Sequence, residues 1–83
     1  MKKIDSNSFY NKRDTQKILK NLDLLWKNAM RINNPRKRSH EILRIHKMIK
    51  RAVSEVRSKD SANVHVRSTS RMLINWILTH EGK

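Results

Sequence analysis

Arg44, Lys47 and Arg51 recur at intervals of three and four residues, with His40 one step upstream. On a helix turning 100° per residue, that spacing sets all four side chains on one line. The line lies opposite an apolar stripe of Ile45, Ile49, Ala52 and Val56. Like charges so spaced destabilise an isolated helix slightly, and a row of phosphates would offset that cost. Just upstream, Arg36-Lys37-Arg38 places three cations where a helix start prefers negative charge. Two local costs in one segment, with no structural gain, point to a functional surface. The chemistry is electrostatic capture of an anion. Arg36, Lys37, Arg38, His40, Arg44, Lys47 and Arg51 are the candidate nucleic-acid contacts.

Other chemistries find little support. Gly82 is the single glycine, so no Gly-rich loop can cradle a nucleotide phosphate. His40-Glu41-Ile42-Leu43-Arg44 begins like a zinc-protease helix, but Arg44 stands where the second His is needed. His46 falls on another face, His65 has no acidic or sulfur residue within one helical turn, and His80 has only Glu81 beside it, too few ligands for a metal. Glu41, Glu55 and Glu81 lie among Lys and Arg, which favours ionised carboxylates in salt bridges over acid–base work. No serine sits in a nucleophile turn. The absence of cysteine removes disulfides, thiolate metal sites and a cysteine nucleophile together. The expectation is a protein that is not an enzyme and has no metal or cofactor.

Twenty Lys and Arg against seven Asp and Glu give a net charge of +13 on 83 residues. Such a chain repels itself, and an acidic partner relieves the repulsion. Nucleic acid is the first expectation, bound mainly through its phosphate backbone. Trp26 and Trp76 belong to apolar faces, which leaves Phe9 and Tyr10 as the aromatic residues free to stack on bases. A helix-turn-helix around Asn33–Arg38 is disfavoured, because the helices are long and the turn lacks glycine. The alternative is a small regulatory or inhibitory protein that docks on another protein through Leu24 and Leu43, which lie off the core faces. Membrane binding through Arg71, Met72, Leu73, Trp76 and Ile77 is disfavoured, since that stretch is short and better used in a core.

The elements that position these residues follow from periodicity. Ile18, Leu22, Leu25 and Ala29, flanked by Leu19 and Trp26, define a first helix from an N-cap at Asp14 to about Ile32. Asn33-Asn34-Pro35 stops it. Ile42, Ile45, Ile49, Ala52 and Val56, widened by Met48 and Val53, define a second helix entered at Pro35 or Ser39 and fading near Ser58. The short connection makes these two an antiparallel hairpin. Residues 60–67 read either as loop or as the start of a third helix capped by Asp60. Met72, Leu73, Trp76 and Ile77 face the core, and Gly82 marks the stop.

The fold expectation is all-α: a small three-helix domain over residues 13–83, built on the hairpin, with residues 1–12 as a flexible N-terminus. The 3-4 spacing also suits a homodimer seam, although it is short for a coiled coil. Met1-Lys2-Lys3 begins like a signal peptide, but Asp5-Ser6-Asn7 replaces the apolar region, so a cytoplasmic protein is expected. Its short length and Lys-, Asn-, Ile- and Ser-rich usage resemble those of small accessory proteins of phages and plasmids, a likeness of composition only.

Overall fold

The computed structural model describes residues 4–80, and these form an all-α domain of three helices with no strand among them. A 3-10 turn over Ser6–Tyr10 precedes α1 (Lys12–Met30), α2 (Pro35–Asp60) and α3 (Val64–Thr79). At 1.5 Å per residue the 26-residue α2 is about 39 Å long, which accounts for the 42 Å long axis of the molecule. The connections 31–34 and 61–63 are short, as in helical hairpins, and α1 and α3 both pack along α2 in the opposite sense.

Each helix start is fixed by an asparagine side chain. Asn11 Oδ1 accepts from the Arg13 amide at 2.9 Å. Asn34 Oδ1 accepts from the Arg36 and Lys37 amides at 2.9 and 3.3 Å. Asn63 Oδ1 accepts from the His65 and Val66 amides at 2.9 and 3.2 Å. These bonds satisfy donors that helix geometry leaves without partners. Asp14, the expected first cap, instead lies in the first turn of α1, where its charge suits the helix dipole. Pro35 opens α2 at a position that needs no N–H, behind an extended Asn34.

Asp60 ends α2 and does not cap α3. The open stretch 60–67 resolves into a three-residue turn and the first turn of α3. There the burial of Val66 overrides the strand preference of Val64 and Val66. The stop expected at Gly82 lies outside the described residues, as does Glu81.

The expected apolar stripes meet in one core. Ile18 and Leu22 from α1 and Ile45, Ile49, Ala52, Val53 and Val56 from α2 pack with Val66, Leu73, Trp76 and Ile77 from α3. Leu19, Leu25, Trp26 and Met48 are half-buried at its edges, and Met72 is exposed rather than packed inside.

The N-terminal expectation needs correction. Lys2 and Lys3 lie outside the described residues, but residues 4–12 belong to the packed domain. Ile4 and Phe9 are both buried, Phe9 completely. Their burial contributes about 1.5–3 kcal/mol each, by area removed from water, toward holding the turn against the bundle.

Hydroxyl groups reinforce the attachment. Thr15 Oγ1 and Thr69 Oγ1 lie 2.9 Å apart in the interior, next to the carbonyls of Asn11 (3.1 Å from Thr15 Oγ1) and Phe9 (3.3 Å from Thr69 Oγ1). The pair joins the turn, α1 and α3.

Candidate nucleic-acid interface

His40, Arg44, Lys47 and Arg51 project from α2 into solvent along one line, on the side away from buried Ile45, Ile49, Ala52 and Val56. From His40 to Arg51 the line rises about 16 Å, against one phosphate per roughly 3.4 Å of duplex axis on each strand. The line therefore has the reach to follow several consecutive phosphates. Arg44 is braced by Glu41, whose carboxylate accepts from Nη1 at 2.9 Å. The pair is exposed, so its own contribution to stability is small.

Arg36 and Lys37 are exposed in the first turn of α2, which contains no acidic residue. Arg38 behaves differently. It is half-buried, and its Nη1 reaches back 3.5 Å to the Ile32 carbonyl beyond the end of α1. That contact serves the α1–α2 turn, so Arg38 is less free than its two neighbours.

A groove of about 750 Å³ runs beside the line, with Leu25, Ile45 and Met48 among its apolar lining and Glu41, Arg44 and Glu55 among its polar lining. The cationic line thus has two carboxylates on its groove side. Leu24 and Leu43 are 58% and 54% exposed, each away from the core on its own helix.

The aromatic residues divide. Tyr10 is 40% exposed, whereas Phe9 is sealed in the core and cannot stack on a base. The phenol of Tyr10 is held above its ordinary range, first by loss of solvation and then by the nearby Asp60 carboxylate.

Two histidines that look solitary in sequence are gathered by the fold. His80 stacks on Trp76 with ring centroids 4.1 Å apart and meets Trp26 edge-on at 5.1 Å. Its Nε2 lies 3.5 Å from Asp23 Oδ1, which also accepts from Trp76 Nε1 at 2.9 Å. His46 Nε2 donates to the His80 carbonyl at 3.1 Å. These residues close one end of the bundle where all three helices meet. Among the described residues, no group of three or more His, Cys, Asp or Glu is arranged to hold a metal ion.

The fold assembles a second cationic group. Arg57 near the end of α2 and Arg67 and Arg71 on α3 line a smaller pocket together with Ser70. The i,i+4 spacing of Arg67 and Arg71 is visible in the sequence, but it sets them on one face only if residues 60–67 are read as the start of a helix rather than as loop.

No helix among the described residues is long and apolar enough to cross a membrane. No protein-family model matches the chain, and no curated protein or solved structure matches it significantly.

Proposed function

We propose that this chain is a non-enzymatic basic module, a small cytoplasmic accessory regulator that holds nucleic acid by its phosphate backbone. The observation that carries the reading is the state of its charges. Every Lys and Arg among the described residues is exposed except Arg38, and Arg44 alone among them is ion-paired with a carboxylate. Cations left unneutralised by the fold are available to a partner. The α2 line, with Arg36 and Lys37 at its start, offers them at regular intervals on a rigid support.

Phosphate contacts of this kind set affinity without reading sequence. Five such contacts, from Arg36, Lys37, Arg44, Lys47 and Arg51, imply a loss of about three decades in affinity as salt rises from about 50 to 200 mM. The test is titration of labelled duplex DNA, single-stranded DNA and RNA at both salts, with wild type and an Arg44→Glu/Arg51→Glu variant. The variant is expected to keep its helical circular dichroism, bind at least tenfold more weakly and show a shallower salt slope. Equal binding by the folded variant would move the interface off α2.

One observation favours a protein partner instead: the exposure of Leu24 and Leu43 on otherwise polar faces. In that reading the leucines anchor the complex and the charge speeds association. A protein with no affinity for any nucleic acid at the lower salt would shift the assignment to it.

A further inference from the structure

Arg57, Arg67 and Arg71 line a concavity of about 290 Å³ between α2 and α3, which Ser70, Ile74 and Asn75 complete. No carboxylate lines it, and among the described residues none of the three arginines forms an ion pair. Arg67 and Arg71 stand one turn apart on the same face of α3, a like-charge spacing that opposes the helix. Ser70 lies beside them on the inward side of α3, only 4% exposed, and its Oγ is buried with no hydrogen-bond partner. A buried hydroxyl left in that state is uncommon and carries the full cost of its desolvation. The neighbouring guanidinium groups supply five donors each and no acceptor. The pocket is rich in donors and positive charge, and an anionic acceptor would satisfy both.

The location is separate from the outward line of α2. Arg57 is turned about 120° around the helix from Arg51, toward α3. The volume falls just under the roughly 300 Å³ at which sites for drug-sized ligands begin, so it suits a single small group. Guanidinium forks match the oxygens of a tetrahedral phosphoryl group in a way that a point charge does not.

We propose that this pocket binds one phosphate dianion, either free or as the end group of a phosphomonoester. Arg67 and Arg71 grip it bidentately, Arg57 supplies further charge, and the Ser70 hydroxyl donates to a phosphate oxygen.

The test is titration of isotope-labelled protein with inorganic phosphate at constant ionic strength, followed by amide resonances of residues 57 and 67–75. Saturable shifts confined to those residues are expected. Ser70→Ala should weaken binding about tenfold or more, the worth of one hydrogen bond to a charged group. An Arg67→Lys/Arg71→Lys variant keeps net charge and helix propensity, so it leaves the fold and the general electrostatic attraction in place. It should nevertheless bind markedly more weakly.

Shifts that fail to saturate, or equal affinity in both variants, would overturn the site and leave only diffuse attraction to a cationic surface. Adenosine monophosphate titrated in parallel separates the two sources. Affinity equal to that of phosphate assigns a monoester end group, whereas binding of phosphate alone assigns the free anion; both support the pocket. The titration contains no polynucleotide, so its failure leaves the α2 interface standing. Failure of DNA binding likewise leaves this pocket standing.

Discussion

Tyr10 shows how a single side chain reports the placement of the N-terminal turn. Its phenol keeps its proton beyond the usual range because solvent is partly withdrawn and because the Asp60 carboxylate disfavours a second negative charge. Asp60 belongs to the far end of α2, so this interaction exists only when the turn is docked. The folded state therefore holds a proton that the unfolded chain releases near pH 10. Any stability from the contact is present below that pH and falls as pH rises through it. The chain has one tyrosine, so phenolate absorbance follows this group alone. Its titration midpoint is expected above that of free tyrosine, and Asp60→Asn should lower it. A midpoint indifferent to Asp60→Asn would mean that the carboxylate plays no part.

Among the elements, the buried threonine pair shows what joins the turn, α1 and α3. Thr69→Val keeps the shape but leaves Thr15 Oγ1 and the Phe9 carbonyl without a shared partner, at an expected cost of about 1–3 kcal/mol in urea denaturation. A Thr15→Val/Thr69→Val double variant should lose less than the sum of the single losses, because two apolar groups then meet. Strict additivity would show that the hydroxyls act independently. The helices themselves were readable in advance. Ile42, Ile45, Ile49, Ala52 and Val56 carry the 3.6-residue period of α2, and all of them are buried. The caps were less so. Asp14 and Asn11 both have side chains able to accept the early amide bonds, and the choice between them depends on a turn that begins farther upstream. Ile4 and Phe9 escaped because two isolated apolar residues have no period. The pocket of Arg57, Arg67 and Arg71 escaped because it depends on how α2 and α3 align, which no local pattern encodes. His46, Asp23 and His80 come together for the same long-range reason.

For the molecule as a whole, a chain of 83 residues has a stability on the order of 4–12 kcal/mol, so one large core side chain matters. Phe9→Ala is expected to cost about 3–5 kcal/mol and to lower the melting temperature sharply, since Phe9 is wholly enclosed. A variant that melts like wild type would show that the turn does not seal the core. The +13 charge acts at the same scale, because self-repulsion opposes compaction and an anion bound by the folded form stabilises it. The arrangement of the two tryptophans separates these effects. Trp26 and Trp76 both meet His80 at the C-terminal end of α3, and Trp76 directly follows Asn75, which lines the arginine pocket. Intrinsic fluorescence is therefore a built-in gauge with two positions: Trp76 beside the arginine pocket, and Trp26 on α1, outside its lining. A change in emission on adding an anion that disappears in a Trp76→Phe variant would report occupancy of the pocket, whereas one that persists through Trp26 would signal that the helices themselves had rearranged.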